Sequence, residues 1–205
     1  MKLHVFDLST AHEHGTVLWD FLRLRKKYFV DELGWDIPHD DQVEMDQYDT
    51  PQAFYSVITH LGEVVGGARC MPTTSRWGSA GYMLGDARAG LLPGIPETIV
   101  PAGYEGPGIM EATRLVIEDH LNAAERTEVL DLLVEGIVSE SLNRGAHRII
   151  ALSHVTLVRA IRKLGYDPEQ CGPTYRDPSS GKPHAVLTME PWKVGERPKA
   201  APVAA

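Results

Sequence analysis

The sequence predicts an α/β domain built on a mixed central sheet flanked by helices. Three observations carry this. Apolar residues recur at helical spacing over 16–33 and 123–143. Short runs rich in β-branched and aromatic residues, bounded by Gly, Pro, Asn or Asp, stand between and after those stretches. The resulting order is strand, helix, strand hairpin, strand, helix, strand, helix, strand.

Each element has its own grounds. Leu3–Phe6 reads as a short first strand. From Thr16 to Leu33, the residues Leu18, Phe21, Leu22, Arg25 (through its aliphatic stem), Phe29 and Leu33 share helical spacing, and Gly34 is a natural stop. Residues 35–52 are polar and acidic with two prolines, which predicts an ordered loop. Phe54–His60 and Glu63–Met71 form a hairpin around Leu61-Gly62. The Gly- and Pro-rich stretch 72–108 contains a short helix near Met83–Leu92, and a segment this long without strong periodicity is usually functional. Gly108–Ile117 reads as a central strand, Ala123–Asn143 as an amphipathic helix and Arg148–Leu152 as a buried strand. Val155–Leu164 is a helix ended by Gly165, and Ala185–Met189 is the last strand. Residues 1–194 read as a single domain, and 195–205 as a disordered tail.

Composition narrows the function classes. The chain has 205 residues, 43% apolar and 23% charged, with a formal net charge of −8. That charge opposes non-specific nucleic-acid binding and an anionic membrane surface. No apolar run reaches the roughly 20 residues of a membrane span, and the start from Met1 to Asp7 is not a secretory signal. Cys70 and Cys171 lie far apart without metal-ligand spacing, which fits reduced thiols in a cytoplasm and no metal site.

Four clusters carry candidate chemistry. Arg25 and Phe29 share a helix face with Trp35 just beyond; Asp46 and Asp49 sit within Glu44-Met-Asp-Gln-Tyr-Asp49. Arg69 follows Gly66-Gly67 on a strand, and Glu111-Ala-Thr-Arg114 lies on the central strand. Singly, most are open to ordinary roles: an arginine stem covering apolar neighbours, solvated loop acids, an edge-strand charge. Period-2 geometry puts Glu111 and Arg114 on opposite faces.

Jointly, Arg25-x3-Phe29-x5-Trp35, Asp46-x2-Asp49, Arg69 and Glu111-x2-Arg114 resemble the signature of LuxI-type acyl-homoserine-lactone synthases, over about residues 15–190. The resemblance implies a GNAT-like acyltransferase fold. It also implies an enzyme that joins an acyl thioester to the amine of S-adenosylmethionine, releases methylthioadenosine and yields a quorum-sensing lactone. Both are substrates, and no prosthetic group is implied. The segment Tyr82–Leu92 departs from the family at Arg88, where Phe is usual.

The chemistry suits these residues. An ammonium must lose a proton before it attacks, and Glu111 is the candidate base, directly or through water; the alternative is that Glu111 only orients Arg114 and substrate. Arg69 and Arg114 complete the candidate catalytic set. A backbone N–H at an irregular point of the 111–115 strand is the candidate oxyanion donor. Arg25 or Arg69 can take the substrate carboxylate, Phe29 and Trp35 can wall the adenine or sulfonium, and Asp46 and Asp49 can bind the ammonium or pair with the arginines. The segment after the central strand, Glu118–Thr127, has no glycine-rich pyrophosphate cradle. That favours an acyl carrier protein as donor over acyl-CoA, with Arg144, Arg148, Arg159, Arg162 and Lys163 as a basic dock. The competing functions are a generic N-acetyltransferase using acetyl-CoA on a small amine, and a non-catalytic ligand sensor.

Overall fold

The computed structural model describes residues 1–179 and 181–196. An eight-stranded sheet forms from β1 (Lys2–Asp7), β2 (Phe54–His60), β3 (Glu63–Pro72), β4 (Ile109–Ile117), β5 (Arg148–His154), β6 (Glu169–Gln170), β7 (Tyr175–Arg176) and β8 (Pro183–Met189). Its order is β1-β2-β3-β4-β5-β8-β6, with β7 also on β8. Every pairing is antiparallel except β4 with β5. The mixed sheet is therefore as expected. β6 and β7, two residues each, were too short to be read from sequence, and the tail expected from Gly195 lies, beyond Glu196, outside the described residues.

Four helices cover the two faces: α1 (Val17–Arg25), α2 (Met83–Arg88), α3 (Ala123–Asn143) and α4 (Leu157–Lys163). Helix α3 has the bounds its periodicity suggests, because Asn122 closes its start. The Asn122 side chain accepts the N–H groups of Ala124 and Glu125, while the Glu125 carboxylate accepts that of Asn122. Helices α3 and α4 bury Val134, Ile137, Val138 and Ile161 against one face. Helix α1 packs Phe21 and Leu24 on the other face beside Tyr55, Val57 and Val116. Twin glycines on β3 allow both approaches: a Cβ on Gly67 would stand 2.4 Å from the Phe21 ring, and one on Gly66 2.7 Å from Val129.

The helix expected over 16–33 is continuous, but its second half is π-helical from Lys26 to Glu32. Leu33 N–H reaches back to the carbonyl of Tyr28, and Gly34, at φ +67, ends the run. Arg25, Phe29 and Leu33, four residues apart, stay near one face in either kind of turn, so the apolar pattern does not separate them.

Two irregularities in the central strands position the site. Between β3 and β4 the register runs Arg69↔Thr113 but Gly67↔Val116, so β4 carries one extra residue. Arg114 sits at that bulge with φ 54, a conformation non-glycine residues rarely adopt. The bulge overturns the period-2 expectation: Glu111, Thr113 and Arg114 all meet groups on the α1 face. Secondly, β4 pairs with β5 only over Ile109–Glu111, opposite Arg148–Ile150. β5 continues along β8 to His154, so the two parallel strands part at Glu111 and Ile150 and the sheet forks there.

Candidate active site

Three arginines and three carboxylates from α1, the 35–52 loop, β3 and β4 form one buried cluster. Arg25, at the end of α1, donates to Glu44 at 2.6 Å and in bidentate fashion to Asp49 at 2.7 and 2.9 Å. Arg69 grips Asp46 at 2.5 and 3.2 Å, approaches Asp49 at 2.9 Å and donates its Nε–H to Thr113 at 3.1 Å. Arg114 spans Glu44 at 3.1 and 3.2 Å and Asp46 at 2.7 Å. The Tyr55 hydroxyl donates to Asp49 at 3.0 Å. Formal charge cancels within the set, which is what makes burying it tolerable. Burial pushes the Asp49 carboxyl up, but the charges of Arg69 and Arg25 outweigh it and hold the group well below the usual carboxylate range. Asp46 is lowered in the same way, by Arg69 and Arg114.

The geometry corrects part of the expected division of roles. Arg25 and Arg69 are 0% exposed and their donors are engaged, so neither reaches a substrate carboxylate. Asp46 and Asp49 are likewise held by arginines, which favours pairing over ammonium binding. These four residues order the loop. Arg114 differs: its guanidinium lies 5.4 Å from the centroid of the Phe29 ring, at the border between the cluster and the aromatic pair. Glu44, Tyr55 and Thr113 belong to the set although they were not among the expected site residues.

Phe29 and Trp35 stack at 5.0 Å between centroids with 27° between planes. The π-helical turn makes this possible by carrying the chain round so that Trp35 N–H meets the carbonyl of Phe29. Among the described residues the buried indole Nε1–H of Trp35 has no acceptor.

Glu111 stands apart from the arginines, at the apex of the fork and 0% exposed. Its carboxylate accepts the backbone N–H groups of Met83 at 2.9 Å and Leu84 at 2.8 Å, the start of α2. Burial pushes its pKa up to about 7, against the lowering effect of those two donors and of Arg69. The role of orienting Arg114 is not seen, since Arg114 pairs with Glu44 and Asp46. Arg88, the departure on α2, forms an ion pair with Glu105, which also binds Arg76 at 3.0 Å.

The basic residues divide. Arg159, Arg162 and Lys163 lie exposed on α4, beyond the C-terminal end of β5. Arg148 starts β5, at its opposite end, under Tyr104, and Arg144 is engaged by Glu140 and Asp7. Arg162 also lies 3.8 Å from Asp167 and donates to the Pro168 carbonyl, and the five basic residues thus fall at two opposite ends of β5 rather than on one face. At the N-terminus of α3 the capping box takes the N–H groups of Ala124 and Glu125, and Glu118 and Asp119 nearby are bridged by Lys27. A surface groove of about 490 Å³, lined by Asp20, Arg23, Leu24, Lys27, Glu63 and Glu118 among others, shares no residue with the cluster.

The mixed sheet, forked between its two parallel strands and flanked by helices, is a GNAT-like fold. Residues 9–175 match the autoinducer synthase family model. An acyl-homoserine-lactone synthase from Ralstonia nicotianae is 32% identical over 155 residues, 73% of this chain and 71% of that protein. Solved structures share the fold, and two of them illustrate it. TofI, in a ternary complex with an inhibitor and MTA, has a TM-score of 0.70 at 22% identity, over 93% of this chain and 92% of that one. The CoA-dependent acyl-homoserine lactone synthase BjaI, with SAM and isopentyl-CoA, has a TM-score of 0.69 at 20% identity, over 92% and 82%. The chain belongs to the autoinducer synthase family and is an acyl-homoserine-lactone synthase.

Proposed function

We propose that Glu111 is the general base that takes a proton from the amine of S-adenosylmethionine as that amine displaces the thiol from a thioester carbonyl, after which the methionyl carboxylate closes on its own γ-carbon and expels methylthioadenosine. The observation that carries this is the Glu111 carboxylate, sealed at the fork between β4 and β5 with a pKa near neutrality. A base works best when its pKa lies near the working pH, because half of it is then ionised and its proton affinity is still high. Once the amine has attacked, the thioester carbonyl carries negative charge. The Arg114 bulge interrupts the β3 ladder, and β4 leaves β5 after Glu111, so backbone N–H donors for that charge are available on β4.

The sulfonium substrate lies against Phe29 and Trp35, where ring faces attract a cation and the Trp35 N–H meets a polar atom of the adenosyl group. Its carboxylate falls to Arg114, the cluster arginine beside that aromatic pair. Lactone closure needs little more than this folded pose, because the sulfonium is already a good leaving group. The match to the autoinducer synthase family sets aside the generic N-acetyltransferase and the non-catalytic sensor.

The acyl donor is a carrier protein in the cytoplasm. The capping box at the start of α3 competes with a pyrophosphate for the N–H groups of Ala124 and Glu125, and Arg159, Arg162 and Lys163 offer an acidic carrier a basic face beyond the strand that borders the fork. The experiment follows methylthioadenosine release with S-adenosylmethionine and matched acyl-carrier and acyl-CoA donors. Reversing the three charges together (Arg159→Glu, Arg162→Glu, Lys163→Glu) is expected to raise KM for the carrier donor at least about tenfold while changing that for acyl-CoA less than about twofold. Equal effects on both donors, or faster turnover of acyl-CoA by the unaltered enzyme, would refute the carrier assignment.

A further inference from the structure

We propose that Tyr48 and Asp86 form a positioning bridge, in which one hydrogen bond fixes the start of α2, and with it the two N–H groups that hold Glu111, to the buried arginine–carboxylate cluster. Tyr48 stands between Asp46 and Asp49 and is 3% exposed. Its backbone N–H donates to Asp46 at 2.9 Å, and the Arg69 guanidinium lies 5.6 Å from its ring centroid. From that anchored position its hydroxyl donates to Asp86 Oδ2 at 2.9 Å, across to α2.

Asp86 also accepts the N–H of Gly81 at 3.3 Å on each oxygen, folding the residues before α2 back onto its first turn. The N–H groups that reach Glu111 come from Met83 and Leu84, between Gly81 and Asp86 in the chain. The span that holds the base is therefore pinned at its two ends by one carboxylate, and that carboxylate is tied to the cluster by one phenol. Burial pushes the Tyr48 hydroxyl far above its ordinary value, so it remains a donor across the working range. A phenol donating to a carboxylate makes a charge-assisted bond, stronger than a neutral one.

The inference rests on Glu111 acting as the base. Burial raises the Glu111 pKa and the two α2 donors lower it. The other groups that bear on it are Arg69 on β3, Asp46 in the acidic loop, Tyr82 beside α2 and Cys70 on β3. Removing the Tyr48 hydroxyl alters none of these. If α2 loosens, its N–H donors draw back and the carboxylate becomes harder to ionise, so activity rises later with pH.

Tyr48→Phe keeps the ring in its apolar surroundings and beside Arg69. It is expected to lower kcat about tenfold, to leave KM for S-adenosylmethionine within about twofold, and to move the acid limb of the kcat–pH profile up by about half a unit or more. Asp86→Asn is expected to do the same, and the double variant to be no worse than either single one, because both act through one bond. Glu111→Gln is assayed alongside. Near-normal turnover in that variant would overturn the assignment of Glu111 itself. Loss of turnover there, combined with unchanged kcat and acid limb in both Tyr48→Phe and Asp86→Asn, would overturn the bridge alone. A Tyr48→Phe defect confined to KM would also overturn it.

Discussion

Arg69→Ala is expected to abolish methylthioadenosine release and to lower the stability of the fold by about 3–5 kcal/mol, the usual cost of breaking a buried charge pair. Arg69 is 0% exposed and holds Asp46, Asp49 and Thr113 together. Without it, two guanidinium groups face three carboxylates, and one buried negative charge is left without a partner. The loop bearing Asp46 then loses its anchor, and Tyr48 moves with it. Arg69→Lys restores the charge but not the planar fork, and is expected to regain part of the stability with little of the activity. Denaturant unfolding with parallel turnover measurements checks both. An alanine variant within about 1 kcal/mol of the unaltered protein and still active would show that the cluster does not organise the site.

Glu111→Gln is expected to lower turnover by a factor of about 100 to 10,000, the range attributed to a positioned base. Its stability carries a separate and less ordinary signature. The folded pKa, about 7, lies above the ordinary 4.5. The folded state therefore holds this proton more tightly than the unfolded chain does. That contribution to stability is fully present below about pH 4.5 and is lost as pH rises through 7. Glutamine does not titrate, so the stability of the variant relative to the unaltered protein should grow by about 3 kcal/mol between pH 4.5 and 8. The clash of its amide with one α2 donor is an offset constant over that range and does not disturb the slope. Chemical unfolding at three pH values reads it, and a difference that stays flat would mean Glu111 is ionised throughout.

The sequence is legible where structure is local. Helix α3 begins where Asn122 and Glu125 close its first turn and runs as far as its apolar stripe. The hairpin of β2 and β3 turns at Leu61-Gly62, where both residues take positive φ. The site is legible where residue types recur at fixed spacing: Arg25, Asp46, Asp49, Arg69 and Arg114 do meet, though from four segments. What escaped has a long-range cause. The extra residue in β4 is registered only against β3, and nothing in Glu111-Ala-Thr-Arg114 announces that Arg114 will take a positive φ. The π-helical turn keeps the four-spaced Arg25, Phe29 and Leu33 near one face, as an ordinary turn does. Arg144 and Arg148 look continuous with α4 in the chain but belong to the other end of β5. Glu44 could have been found by counting charge, since three buried arginines against Asp46 and Asp49 leave one cation over, and the nearest acid in the same motif supplies the balance.

The parting of β4 from β5 has a consequence for how an acyl tail is accommodated. Hydrogen bonding between these strands stops at Glu111 and Ile150, so a tail sliding in beyond that point unzips no backbone. On the proposed mechanism, a tail taken in there displaces side chains of the cluster around Met71, Leu84, Ile99, Ile150 and Val186. Tail length and bulk are then set by those side chains, while the strand pairing up to Glu111 and Ile150 stays the same from one product to the next.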